Sequence, residues 1–272
     1  AGAAATATVA MAKTSYENYK ETEQLVGGVE ALYEDSSQAV IDNARTAYKR
    51  AGMSANQYMS TATSYAAVLK NSLGGDLQAA AEKSDKAILQ MADNSARFGT
   101  DLDSLQNTYS SLSRQQYTML DNLKLGYGGT KTEMERLLAD ATELSGVEYD
   151  IESFADVIDA IGVIQDSLHV TGTAADEAAG TIEGSFATMQ AKWQDFASDL
   201  MNPDVGIDKS VDELIESALA FVDNVVPVAQ RFGERLGPAL AQAAQTIVPQ
   251  LPAIIAPIAE GFVSVLQVTL ET

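Results

Sequence analysis

The chain has 272 residues, 46% hydrophobic and 20% charged, with 17 Lys and Arg against 38 Asp and Glu and a formal net charge of −21. That length supports a real apolar core in one large domain or two small ones. The acidic balance excludes holding DNA or RNA by phosphate neutralisation, which needs clusters of Lys and Arg, and the absence of Cys excludes a disulfide framework and thiolate chemistry.

Aromatic residues are only 7%, and runs of alternating Val, Ile and Tyr are few, so the predicted class is all-α: a multi-helix folded module with helices separated by Gly and Pro. Composition divides the chain into three zones. Residues 1–28 form an Ala-rich N-terminal connecting segment that ends at Gly27-Gly28. Its first twelve residues are uncharged, with no preceding Lys or Arg, so it is not expected to be a signal peptide, and the chain reads as a fragment of a longer protein. Residues 29–205 form a helical core module. Residues 206–272 form an apolar, Pro-rich helical segment holding five of the six prolines.

In chain order, helices are expected over Ser36–Arg50 with a stop at Gly52, from Ser54 to Gly74-Gly75, from Asp76 to Phe98 with a stop at Gly99, and from Asp101 towards Leu125 with a possible break near Ser113. Gly is the natural stop because it accepts a left-handed backbone at little cost. Gly128-Gly129 then makes a turn, and Thr130 with Glu133 makes a T-x-x-E capping box that restarts the helix. Met134, Leu137, Leu138, Ala141 and Leu144 fall on one face before Gly146. The next helix starts near Ser153 and aligns Phe154, Val157, Ile158, Ile161, Ile164 and Leu168. Gly162 in its middle costs about 1 kcal/mol against Ala, which marks a close helix contact.

After Thr173 the spacing predicts one unbroken helix. Ala175, Ala179, Ile182, Phe186, Met189, Trp193, Phe196 and Leu200 recur at steps of four and three, a coiled-coil-type seam. Two readings remain open: a long helix packed inside a helical domain, or self-association along the stripe. Asn202-Pro203-Asp204 breaks the helix. Ser210 and Glu213 form a second capping box, and Val211, Leu214, Ile215, Ala218, Val222 and Val225 make the following face. From Leu236 to Ala259 no residue is charged and four prolines interrupt the run. The stretch 236–272 is either a set of short apolar helices buried against partner subunits or a segment that later inserts into a membrane.

No constellation for catalysis, cofactor binding or metal binding is found, so the chain is not expected to be an enzyme. His169 is the only histidine. Without Cys or a second His it has no zinc partners, and its place at a helix end suits an interaction with the helix dipole. Gly126–Lys131 looks faintly like a phosphate loop but lacks the G-x-x-x-x-G-K-[ST] spacing and follows a helix. Capping accounts for Glu133 and Glu135 without acid–base work.

Several segments resemble one known family: Gly52–Met59, Ser72–Asp76 followed by Ala79–Ile88, Met91–Asn94, Tyr117–Asp140, Ala155–Ile161 with Thr171–Thr173, and Gly180–Ser185 leading to Trp193. Together, over residues 30–205, they look like the core region of phage tail tape-measure proteins of long-tailed phages and prophages of Gram-positive bacteria. Met119–Leu138 is the specific block; nothing is carried over to the C-terminal zone. The resemblance implies a structural virion protein that sets tail length during assembly, leaves the tube ahead of the DNA and helps form a passage through the host envelope. It implies as partners the tail tube (major tail) protein, tail assembly chaperones and distal tail or hub proteins, with three copies per tail. Its place would be inside the tail tube or near the tip, and the host cytoplasm during assembly. A ruler wants long unbroken helix, but these helices of about 15–28 residues would each span only about 20–45 Å. The chain is therefore expected to fold back into a compact helical module near one end of the ruler, or into a domain active at ejection. The alternative reading is a membrane-active, pore-forming helical protein acting through 236–272.

Overall fold

The computed structural model describes residues 2–202 and 206–236, with side chains over 15–202 and 206–228. Among the described residues all regular structure is helical: α1 (Gly2–Tyr33), α2 (Ser37–Ala51), α3 (Ala55–Ser72), α4 (Leu77–Phe98), α5 (Leu102–Leu112), α6 (Lys131–Ser145), α7 (Phe154–Ser167), α8 (Thr173–Gly180), α9 (Ile182–Asp199) and α10 (Ile207–Leu236), with short 3-10 turns at Glu34–Ser36 and Leu120–Leu123.

Local chemistry sets most of these boundaries. Ser54 and Gln57 form a reciprocal capping box on α3. Asp76, Asp101, Thr130 and Ser153 each accept the backbone N–H of the third residue of the helix that follows. Gly52, Gly99 and Gly146 end α2, α4 and α6 at φ of 64°, 64° and 74°, the left-handed region that any Cβ would strain.

One core runs from Val29 on α1 to Ala174 on α8. At its centre lies α4, packed against α2, α3, α5, α7 and α8. Small side chains on α4 (Ala80, Ala81, Ala87 and Ala92, all buried) let these neighbours come close. Gly162 on α7 shows the same economy: a Cβ there would sit 2.6 Å from Gln90 Nε2 and 3.0 Å from Lys86 Cε, so the glycine is the close helix contact its position predicts. Large volume comes from tyrosines. Tyr33, Tyr58, Tyr65 and Tyr109 are at most 2% exposed, and each hydroxyl donates within the core, as burial of a phenol requires. Their acceptors are Ala62 O (2.8 Å), Asp85 Oδ1 (2.7 Å), Gln106 O (3.1 Å) and Gln90 Oε1 (2.9 Å) respectively.

The compositional change at Gly27-Gly28 falls inside α1, which continues through both glycines. Leu25, Val29 and Tyr33 share one stripe there, and a Cβ on Gly28 would meet Thr63 of α3 at 3.8 Å, so tertiary packing outweighs the cost of two glycines.

The single helix after Thr173 is two. Thr181 is extended (φ −116°, ψ 158°) and caps α9 by accepting the Gly184 N–H at 2.9 Å. The corner is so tight that a Cβ on Gly184 would lie 2.1 Å from Glu177 O. The stripe is split accordingly: Phe196 is buried and Trp193 half-buried, whereas Ile182 and Phe186 are exposed.

Ser210 and Glu213 do not cap a helix. α10 begins earlier, at Ile207. Ser210 Oγ donates to Asp199 and Glu213 accepts from Lys192; both side chains reach across to α9 rather than back to their own amides. α9 ends at Asp199, ahead of the Asn202-Pro203-Asp204 break, whose Pro203 and Asp204 lie outside the described residues. The stretch 237–272, which holds the two expectations for the C-terminal segment, also lies outside them. Among the described residues no helix is long and apolar enough to cross a membrane.

Candidate functional site

The block that carries most of the resemblance, Tyr117–Asp140, folds into a corner between the 3-10 turn and α6. Tyr117, Leu120, Leu123 and Leu125 are buried at its base. Asn94 on α4 donates to Leu123 O at 2.6 Å, and Asn122 donates to Thr108 on α5 at 3.1 Å. Gly129 lies against the preceding strand of chain so closely that a Cβ would meet Thr118 O at 2.4 Å.

Only half of the expected T-x-x-E box forms. Thr130 Oγ1 accepts the Glu133 N–H at 3.2 Å, but the Glu133 carboxylate turns to the Gly128 N–H at 3.0 Å. Arg136 completes the lock. It donates to Glu133 Oε2 at 2.7 Å and to Gly126 O at 2.8 Å, and its guanidinium lies over the Tyr127 ring at 4.3 Å. Arg136 and the Gly128 amide hold the Glu133 carboxyl below the usual carboxylate range. Tyr127 donates to Asp140 at 2.7 Å, and burial together with that carboxylate pushes its hydroxyl up to about 12. The Gly128 amide is thus held by a carboxylate of the same corner.

His169 is exposed and follows α7 in a left-handed conformation (φ 55°). The Val170 N–H returns to Gln165 O at 2.9 Å, closing a Schellman-type end. Among the described residues no group of three or more His, Asp or Glu is placed to hold a metal ion.

Two polar clusters escaped the sequence reading because their partners are remote in the chain. Asp93, buried on α4, accepts the Gly172 and Ala174 N–H groups, both at 2.9 Å, and so caps α8 from another helix. Burial pushes its carboxyl up; the two amides only partly oppose this. Lys192 on α9 is 3% exposed. Its ammonium pairs with Asp195 at 3.1 Å and Glu213 at 2.8 Å and sits 3.6 Å from the centre of the Tyr48 ring. Asp195 in turn accepts the Ala55 N–H at the start of α3 at 3.1 Å. One lysine therefore ties together α2, α9 and α10. Burial raises Asp195 and Asp199 beside it above the usual carboxylate range.

The α9–α10 pair leaves an apolar surface. Phe186 packs against Phe221 with tilted rings, their centres 5.4 Å apart, and Asn224 donates to Ala179 O and Thr181 O. On the outer side of α10, Ile215, Leu219, Val222 and Val226 are 47%, 59%, 47% and 42% exposed. The face expected to bury Ile215 and Val222 therefore leaves them in solvent, while Val211, Leu214, Ala218 and Val225 are half-buried. A cavity of about 590 Å³ lies between the α2–α3 turn, the end of α4 and the α8–α9 corner, with Ala and Gly prominent in its walls. No family model, no curated protein and no solved structure matches this chain.

Proposed function

We propose that the chain is a structural module of a phage tail, of the tape-measure type. In this reading it acts during tail assembly in setting tail length and is released to aid DNA passage through the host envelope. The observation that carries the proposal is the fate of Tyr117–Asp140. The segment with the most specific resemblance forms a tight corner, in which the Gly128 amide, the Glu133 and Asp140 carboxylates, the Tyr127 hydroxyl and the Arg136 guanidinium are paired among themselves. Such a segment supports architecture, not turnover of a ligand. The folded-back helices support a module at one end of a ruler, since the longest described helices, α1 and α10, span 32 and 30 residues, only about 45–50 Å each.

The partners in this reading are the tail tube protein, tail assembly chaperones and distal tail or hub proteins, with three copies in the virion, inside the tube or near its tip. The α9–α10 surface offers apolar area for such contacts.

The test is genetic and structural. In the phage or prophage that encodes this chain, residues 29–205 are deleted in frame, and particles are examined by electron microscopy and by mass spectrometry of purified virions. The expected outcome is the chain in wild-type virions and shortened or missing tails in the mutant. Tails of unchanged length and infectivity, with no trace of the chain in virions, would overturn the proposal. The membrane-active alternative rests on 236–272; liposome leakage that requires those residues supports it.

A further inference from the structure

The outer face of α10 has a pattern that the fold itself does not use. Ile215, Leu219, Val222 and Val226 are spaced by four, three and four residues and all four are exposed. The opposite face, with Ser210, Glu213, Ser217 and Asn224, turns inward: three of the four bond to α8 or α9 or to their junction, and Ser217 is buried. An α-helix turns about 100° per residue. This places Asp212, Glu216 and Asp223 in one row along a single flank of the apolar stripe. All three are exposed. Asp208 continues the line of the stripe at its N-terminal end. Among the described residues Lys49 is the basic group that meets this row, 3.9 Å from Glu216, with both side chains more than half exposed, a contact of little strength.

That border discriminates between occupants. In an antiparallel pair of α10 helices the acidic row would face its own copy, and like charges at flanking positions oppose pairing. In a parallel pair it would face Val211, Ala218 and Val225 of the second copy, which offer no cation. Each copy also brings a net charge of −21. A helix of another protein, apolar at the same heptad spacing and carrying Lys or Arg beside it, satisfies both the stripe and the row.

We propose that the outer face of α10 is a docking surface for a cationic amphipathic helix of a different protein, seated on Ile215, Leu219, Val222 and Val226 and paired with Asp212, Glu216 and Asp223. The reading stands whether or not the chain belongs to a phage tail.

The probe is a Leu–Lys peptide about two heptads long, with Leu at the seam positions, titrated calorimetrically into the full 272-residue chain; a Leu–Glu peptide of the same pattern is the control. The Leu–Lys peptide is expected to bind, more weakly as salt rises, and the Leu–Glu peptide not to. Leu219→Ser with Val222→Ser, and separately Asp212→Asn with Glu216→Gln and Asp223→Asn, should each weaken binding by about tenfold or more. Because all five side chains point to solvent, circular dichroism of both variants should match the parent. Equal binding of the two peptides, binding of neither, or binding that survives both variants would refute the proposal. So would sedimentation showing that the chain self-associates through this face, with Leu219→Ser and Val222→Ser restoring the monomer.

Discussion

Gly129→Ala tests whether the signature block is a structural corner. The added Cβ would stand 2.4 Å from Thr118 O and 3.0 Å from Thr118 C, where ordinary contact begins near 3.4 Å. Backbone must therefore yield by about 1 Å, because neither atom belongs to a side chain that can rotate away. Thr118 is not free to move: Tyr117 beside it is buried, and Leu120 and Leu123 anchor the turn that follows. Overpacking of this kind costs about 1–3 kcal/mol, which lowers the folded-to-unfolded ratio about 5- to 150-fold. Gly128→Ala is the matched control. Its Cβ would meet only Glu133 Cγ, at 3.6 Å, an ordinary contact, so its cost should stay below about 1 kcal/mol. Urea denaturation followed by circular dichroism measures both. Equal losses, or no loss at Gly129, would show that the corner does not depend on this close approach.

Asp93→Ala removes the cap that α4 gives to α8; a loss of about 1–2 kcal/mol is expected, with faster hydrogen exchange at the Gly172 and Ala174 amides. Asp199→Asn tests pH linkage. Burial raises the Asp199 carboxyl, so its folded form binds a proton more readily than the unfolded chain, and this group costs stability as pH rises through its folded value. The Asn variant should gain on the parent as pH rises above the ordinary carboxylate range of about 4; a gap independent of pH in urea titrations would contradict the buried charge. Tyr33 is pushed up to about 12 by burial, against the bond to Ser84. Its neutral form is favoured in the fold, so stability should fall above pH about 10, where the unfolded chain ionises first. Tyrosinate absorbance should therefore rise with unfolding; a reversible rise in the native chain at ordinary phenol pH, lost in Tyr33→Phe, would count against it.

What could be read from sequence was what neighbours in sequence decide. Ser54, Asp76, Asp101, Thr130 and Ser153 cap the helices that follow them, and Gly52, Gly99 and Gly146 close those that precede them, because capping bonds span only a few residues. Gly162 was legible as a close contact for the same reason: its cost within its own helix is visible without the partner.

Where a distant partner decides, local pattern fails. The seam from Ala175 to Leu200 keeps its spacing through Thr181, yet the backbone turns there because Gly184 lets α9 close on Glu177. Ser210 and Glu213 have the spacing of a cap, but Lys192 and Asp199 claim them. Asp93 and Lys192 look like surface charges on amphipathic helices, and only the fold reveals the amides and carboxylates that justify burying them.

Trp193 gives the molecule a built-in optical probe. It is the only tryptophan in the sequence, it lies on α9 half-buried against Phe196 with ring centres 5.8 Å apart, and it is one residue from the lysine that joins α9 to α2 and α10. The buried tyrosines report instead on the packing of α1 to α5. Emission from the single indole and absorbance from the phenols therefore watch two different parts of one chain. Fluorescence recorded during denaturation can show whether the α9–α10 pair separates while the tyrosine-rich core stays folded.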